Sequence, residues 1–442
     1  DRNGKIKRMK VQVAKIASLS NDIALALAAA PIRIEAPVPG KGIVGIEVPN
    51  KEMAMVGLRS VMESDEFRRH GQHPLMVAFG RDVSGTPVVD DLASLPHLLI
   101  AGATNSGKSV CINALIACLI CRNTPDSLRL IMVDPKRVEL SNYNGIPHLI
   151  TPVVVEAGRV VGVLKWLAAE MDRRYQLFSD VGARNLEVYN KKMASKGSPQ
   201  LPNIVMFIDE LADLMMVSPD EVERYIVRVA QLARATGIHL VIATQRPSVD
   251  VVTGLIKANF PARLSFLVSS QVDSRVIIDS PGAEKLLGSG DGLYMAPDSP
   301  KLARIQGCFV SDGELERIIS YWKAQNVHIE SHKDLESIDP TKTVQKPLWP
   351  NMPNMNLDDD LDSADEDDLL GDARDLVIRQ QKASISFLQR ALRIGYSRAA
   401  RMIDTLEEQG VIGPATGTSK AREVLVPASD GAAVDDDLDA DF

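Results

Sequence analysis

Five short apolar runs stand out in the middle of the chain, at residues 98–101, 128–133, 204–208, 240–243 and 264–268. Each is almost free of polar residues, which is the pattern of a strand covered on both faces rather than the alternation of a half-exposed one. Segments of helical period separate them and supply the crossovers a parallel sheet requires, so the expected class is α/β. Upstream, residues 11–13 and 32–34 read as short strands flanking a helix that Ser20 caps and Pro31 ends. Residues 52–62 read as a second helix, followed by a strand at 75–78 and a turn-rich passage through Gly85 and Pro87. Between residues 340 and 372 apolar periodicity is lost among Pro340, Pro347, Pro350, Pro353 and an acid run, which separates two folded units. There is no internal repeat.

Composition narrows the class without changing that picture. The chain has 442 residues, 45% of them hydrophobic, enough for at least one large core within two to four domains. Its 4 cysteines are too few for a disulfide scaffold and fit a reducing, cytoplasmic compartment. Cys118 and Cys121 form a lone C-x-x-C with no second pair, and read as core thiols rather than zinc ligands. The 7 histidines lack H-E-x-x-H spacing, so no metalloenzyme is indicated. No run of 18 uncharged apolar residues is present, and residues 1–10 are charged rather than signal-like, so no membrane contact by this chain is expected. The net charge of -8 argues against nucleic acid only superficially. Eight of the eleven residues 358–368 are acidic, and five more acids crowd residues 435–441; without these 13 the chain carries +5. The two acid runs are expected to be solvated, as a flexible linker at 340–370 and a disordered tail at 428–442.

The first chemical signal follows the run at 98–101. Gly102-Ala103-Thr104-Asn105-Ser106-Gly107-Lys108-Ser109 is G-x-x-x-x-G-K-[ST], followed by a helix over 110–120 that begins at Val110. Glycines let backbone amides turn onto phosphates, Lys108 reaches the β and γ oxygens of ATP, and the Ser109 hydroxyl ligates Mg2+. About one hundred residues on, the run 204–208 leads straight into Asp209 and Glu210. Two carboxylates at the end of a buried strand suit a metal partner, Asp209, and a base that polarises water, Glu210. Gln245 follows the run 240–243 and is placed to sense a γ-phosphate. Between these, 221–234 reads as a helix with Arg224, Arg228, Gln231 and Arg234 on one polar face, either solvated or, in a ring, presenting an arginine finger to the next subunit. Gly288, Gly290 and Gly292 read as a tight loop rather than a second phosphate site, and the segment 134–137 is given no definite role.

Residues 371–427 hold 9 Lys plus Arg against 6 Asp plus Glu. Ser384 caps a helix over 385–392, Gly395 permits a tight turn, Ser397 caps a second helix over 398–409, and 411–412 with 423–426 form a hairpin. Helix, turn, helix and wing make a winged helix-turn-helix with Ile385, Leu388, Leu392, Ile403 and Leu406 as its core. Ser397, Arg398, Arg401 and Asp404 lie on the face that would read a major groove, Arg toward guanine and Asp toward a cytosine amino group. A protein-binding winged helix is the alternative.

These motifs together carry a resemblance. Residues 97–109, Val133-Asp134-Pro135-Lys136-Arg137, Ile208-Asp209-Glu210-Leu211-Ala212-Asp213, Ala233-Arg234-Ala235-Thr236-Gly237-Ile238-His239 and Ala243-Thr244-Gln245-Arg246-Pro247 are similar to the FtsK/SpoIIIE DNA translocases. The likeness extends over nearly the whole chain, with 34–40 and 45–50 resembling the end of the family's alpha subdomain and 395–401 its gamma winged helix. The resemblance implies a partial alpha subdomain at 1–55, a RecA-like motor at 56–339 and a gamma domain at 371–427. It also implies a homo-hexameric ring around double-stranded DNA, driven by ATP hydrolysis, that segregates chromosomes at division or sporulation septa. Arg234 then matches the trans-acting finger, and Ser397, Arg401 and Asp404 the contacts that orient loading. Asn105 stands where the family usually has Gly, and Ser397 replaces the usual Asn. Family members carry an N-terminal membrane anchor, which would bring such a chain to the cytoplasmic face of the membrane at the septum. The rival classes are a ring ATPase that moves protein through a secretion channel, and a DNA-bound regulator with an ATPase switch.

Overall fold

The computed structural model describes residues 11–29, 32–38, 42–52, 54–69, 73–299, 301–326 and 366–392, together with 399, 402–403, 405–407, 409–413 and 422–426. The chain divides into two compact units, residues 1–356 and 357–442.

The first unit is organised by a nine-stranded sheet of β3 (Met76–Asp82), β4 (Pro87–Asp91), β5 (Leu98–Ala101), β6 (Leu128–Val133), β7 (Asn203–Ile208), β8 (Ile238–Thr244), β9 (Ala262–Phe266), β10 (Asp291–Met295) and β11 (Leu302–Gly307). Their order is β4-β3-β11-β10-β9-β5-β8-β7-β6. The five apolar runs are the five parallel strands β9, β5, β8, β7 and β6, in that order. Every residue of β5, β8 and β9 is buried, the polar His239, Thr244, Arg263 and Ser265 included. From β9 onward the pairing turns antiparallel, and the hairpins β10–β11 and β3–β4 extend the sheet on that side. Because β5 lies between β8 and β9, its carboxyl end opens inside the parallel region, where a crevice forms between oppositely directed crossovers.

The helix Lys108–Ile120 leaves that end. It is apolar nearly all round, with ten of its residues buried, because it is covered twice. Ile112, Leu115 and Leu119 join the main core, while Ala114, Ala117 and Cys118 face Met76, Leu58 and Val61 on the other side. Cys118 is thus a core thiol, but Cys121, expected beside it in the core, caps the helix and is exposed.

Toward the N-terminus the sequence pattern was less decisive. Val13 opens a helix (Val13–Ser18) instead of ending a strand, and a second helix follows at Ser20–Ala26 with Ser20 as its first residue rather than its cap. Three residues of alternating valine lose to the helix-forming Ala14, Lys15 and Ala17, with no strand paired to them among the described residues. The strand read at 32–34 is β1 (Arg33–Glu35), paired antiparallel with β2 (Gly45–Glu47). The helix read over 52–62 is confined to Leu58–Met62. Ahead of it the chain runs extended beside the sheet: Phe309 N–H donates to the Val56 carbonyl and Leu58 N–H to that of Phe309.

In the second unit, Ile385–Leu392 is helical as expected, with Ser384 Oγ accepting from the Phe387 amide. Described residues of the second helix and the wing follow: Ile412 bridges Val424 antiparallel, and Gly413 N–H donates to the Glu423 carbonyl. Leu388, Ile403 and Leu406 are buried, and Ile385 and Leu392 pack against them half-buried. A further helix, Glu366–Gln380, was not foreseen, and its start lies inside the expected flexible linker. Ala373 and Val377 then bury against the module's core.

Candidate nucleotide site

The turn after β5 is built from positions that tolerate little else. A Cβ on Gly102 would stand 2.4 Å from Ser106 Oγ and 2.7 Å from Phe266 Cβ, and one on Gly107 2.6 Å from the Gly290 nitrogen. Gly107 has φ +113, and Asn105 has φ 62, the left-handed region that Asn visits more readily than other side chains, which accounts for its replacing Gly. Lys108 and Ser109 open the helix, so its unpaired N-terminal amides face the turn. Thr104 and Asn105 are exposed, Ala103, Gly107, Ser109 and Val110 half-buried, and Ser106 buried.

Asp209 and Glu210 directly follow the last residue of β7, Ile208, one strand beyond β8. Lys108 Nζ donates to Asp209 Oδ1 at 2.6 Å and to the Asp209 carbonyl at 2.7 Å, both side chains being buried. Asp209 Oδ2 and Ser106 Oγ are buried without a hydrogen-bond partner among the described residues. A buried carboxylate oxygen left without a partner is the hard oxygen ligand that a divalent cation takes, so Asp209 fits the role of metal partner expected of it.

Glu210 is 1% exposed and held from three sides. Thr244 Oγ1 donates to Oε1 at 2.7 Å, Lys136 Nζ to Oε2 at 2.9 Å, and the Gln245 amide lies 3.1 Å from Oε1. Burial alone would raise this carboxyl, but the bonds from Thr244 and Lys136, the Lys136 charge and the Gln245 amide outweigh it and hold it below its ordinary value of 4.5. Glu210 is thereby a fixed carboxylate. The Gln245 side chain reaches the phosphate loop, where Thr104 Oγ1 donates to its Oε1 at 3.4 Å.

The fold thus brings Lys108, Ser109, Asp209, Glu210 and Gln245 to one edge of the sheet. Arg234 is not among them. The helix read over 221–234 is Pro219–Leu232, and exposed Arg234 sits on the following turn, Ala233–Thr236, which enters β8 at its opposite end. Seven residues at about 3.3 Å each put the ends of β8 roughly 20 Å apart. On the same polar face Arg224 lies over the Tyr225 ring and Arg228 pairs with Asp172 at 2.6 Å. Ser397, Arg398, Arg401 and Asp404 lie outside the described residues.

Two contributors were not singled out. Lys136, in a segment given no role, sits on Glu210. The loop around Gly288 and Gly290 is a tight one as read, with φ 78 at Gly288, 50 at Ser289 and 91 at Gly290, and it buttresses the phosphate loop: Gly290 N–H donates to the Ser106 carbonyl at 2.8 Å. Only pairing across 74 residues in one case and almost two hundred in the other reveals them.

Comparison with known proteins agrees with this geometry. Residues 57–249 match the FtsK/SpoIIIE family, residues 6–50 the FtsK alpha domain and residues 364–427 the FtsK gamma domain. Relatives include a DNA translocase FtsK of Oceanobacillus iheyensis, 52% identical over 94% of this chain and 51% of its own length, and another of Caldanaerobacter subterraneus, 52% identical over 94% and 56%. The chain spans about half the length of these curated relatives. Among solved structures, the pCW3 conjugation coupling protein TcpA, in monomer form with ATPγS, is 26% identical with a TM-score of 0.54, over 70% of this chain and 87% of that one. With a phosphate loop on a mixed α/β sheet and all three family domains in sequence, the chain belongs to the FtsK/SpoIIIE family.

Proposed function

We propose that this chain is the motor portion of an ATP-driven translocase of double-stranded DNA that works as a homo-hexameric ring and segregates chromosomes at division or sporulation. The observation that carries this reading is the convergence of Lys108, Asp209, Glu210 and Gln245 on one phosphate loop. The relatives named DNA translocase and the gamma-domain match support the choice of cargo.

In this reading residues 102–110 cradle the phosphates of the substrate ATP, and Lys108 exchanges Asp209 for β and γ oxygens. Mg2+ held by Ser109 and Asp209 supplies charge neutralisation at the phosphates. Glu210, kept ionised by Thr244 and Lys136, orients and polarises the attacking water. Gln245, in contact with Thr104, sits where loss of the γ-phosphate is passed to β8. Arg234 lies at the far end of that strand and serves the neighbouring subunit's ATP. Residues 1–55 form the partial alpha subdomain, 56–339 the motor, and 371–427 the gamma module, whose Ser397, Arg398, Arg401 and Asp404 choose direction by reading sequence. The ring acts in the cytoplasm, and at the cytoplasmic face of the septal membrane if the full-length protein carries an N-terminal anchor.

ATP turnover by the purified chain, measured without DNA, with single strands and with duplex, tests this. Duplex-stimulated turnover that persists after removal of residues 371–442, together with displacement of a triplex-forming strand, is the expected result. Turnover indifferent to duplex would favour a protein-moving ATPase of the same fold.

A further inference from the structure

Four alternating charges run across four strands on the side of the site away from Glu210. Arg33 on β1 pairs with Glu47 on β2 at 3.0 Å, Glu47 pairs with Arg304 on β11 at 2.7 Å, and Arg304 pairs with Asp291 on β10. The last contact is a two-pronged fork, Nε to Oδ1 at 2.9 Å and one terminal nitrogen to Oδ2 at 2.8 Å. The other terminal nitrogen goes to Glu47, so all three guanidinium nitrogens are engaged. The side chains of Asp291, Arg304 and Glu47 are 7%, 11% and 14% exposed. The hydrogen bonds that Arg304 donates to Asp291, opposed by burial, and the one it donates to Glu47 hold it more firmly protonated than an ordinary arginine. Such a fork fixes geometry in a way that a point charge does not.

What it fixes is the wall of the phosphate loop. Asp291 Oδ2 accepts from the Leu287 amide at 2.8 Å and the Asp291 amide donates to the Gly288 carbonyl, closing the turn over residues 287–291. That turn delivers the Gly290 amide to the Ser106 carbonyl at 2.8 Å, and the Gly290 carbonyl accepts from Gly307 at 2.7 Å. Gly107 approaches Gly290 so closely that no Cβ fits between them. A change in the turn therefore moves residues 106–107, and a change at 106–107 bears on Asp291 and Arg304 in return.

We propose that Arg304 is a positioning residue for nucleotide binding: through Asp291 it sets the 287–291 turn against the phosphate loop, and through Glu47 it ties the state of that loop to the N-terminal hairpin. This rests on the nucleotide-site reading and goes beyond it, because it makes the β1–β2 hairpin responsive to ATP.

The test uses the full chain with ATPγS and Mg2+ as the probe, reading affinity by fluorescence competition and amide exchange at residues 45–47. R304Q and D291N are expected to weaken affinity about tenfold or more, the scale on which small displacements of positioning groups act. R304K, which keeps the charge without the fork, should recover only part of that loss. E47Q should bind within about twofold of the unaltered chain, yet lose the slowing of exchange at 45–47 that ATPγS causes in that chain. Unchanged affinity in D291N and R304Q, or exchange at 45–47 that ignores ATPγS in the unaltered chain, would overturn the inference alone. Failure of the unaltered chain to bind ATPγS would instead overturn the nucleotide-site reading. Circular dichroism separates an unfolded R304Q from a folded one, and D291N then decides.

Discussion

Lys108 Nζ and Asp209 Oδ1 lie 2.6 Å apart, with the lysine 3% exposed and the aspartate fully buried. Removing two charges from water costs several kcal/mol per ion, so a buried pair is weak support for stability, whereas leaving one partner alone costs about 3–5 kcal/mol. The pair is better understood as a site kept in register: Lys108 is already at the edge of the loop, and Asp209 still has one carboxylate oxygen to give.

Lys108→Ala and Asp209→Ala should each lower ATP turnover at least about a hundredfold, since each removes a group that meets phosphate charge. Their effects on stability should not add. Lys108→Ala strands a buried carboxylate and Asp209→Ala a buried ammonium, whereas the double variant strands neither and should be at least as stable as either single one. Denaturant titration of all three checks this; additive losses, or normal turnover in either single variant, would remove the pair from the site.

Glu210 owes its ionisation partly to Lys136, which is 37% exposed at the side chain and donates at 2.9 Å. A folded-state carboxyl held below 4.5 contributes stability at neutral pH that is lost as pH falls through its depressed value. In Lys136→Met burial still raises the carboxyl while one opposing partner is gone, so the acid limb of the pH–kcat profile should move to higher pH. Glu210→Gln should bind nucleotide but turn over about a hundredfold or more slowly. An acid limb that stays in place in Lys136→Met would show that Lys136 does not govern this carboxylate.

The parts of this arrangement that were legible in the sequence are those carried by neighbours in the chain. Residues 98–101 are apolar without interruption and residues 128–133 apolar but for Arg129, and both strands were bounded to the residue. The phosphate loop is a contiguous octet whose chemistry depends on residue order. Lys136 was opaque because nothing near it names Glu210 as its partner, and Asp291 because its fork comes from Arg304 across a hairpin. Likewise the helix Glu366–Gln380 was hidden by the acid run in which it begins, and only the burial of Ala373 and Val377 further along reveals it.

Arg234→Ala should be inactive alone, because each site would lack the finger from its neighbour. Mixed with Lys108→Ala subunits it should regain part of the turnover, at interfaces where an intact loop meets an intact finger. Its distance from the home site, the length of β8, predicts that the rescue needs assembly and vanishes on dilution below the ring's association range. Mixtures that never exceed the sum of their parts would place Arg234 outside the chemistry.

Three buried histidines predict a loss of stability just below neutrality. Burial and the nearby His239 lower His97 to about 3; burial, with Arg174 and Arg234 nearby, lowers His239 to about 4; and burial, with Arg129, lowers His148 to about 4. In the unfolded chain each titrates near 6.5, so the neutral folded form is favoured above 6.5 and that advantage is lost as pH falls toward the folded values. Each contributes a slope of about 1.4 kcal/mol per pH unit once pH is well below 6.5. His97 also joins the start of β5 to its surroundings: Nδ1 accepts from the Leu240 amide at 3.0 Å, which leaves the Nε2 proton for the Ala230 carbonyl at 3.1 Å. Protonating Nδ1 would break the first of these bonds. His97→Gln should therefore be less stable at pH 7.5, yet its stability should fall less steeply between pH 6.5 and 5.5, by up to one proton's worth, in urea titrations followed by circular dichroism. A slope equal to that of the unaltered chain would show that His97 is already protonated in the folded protein.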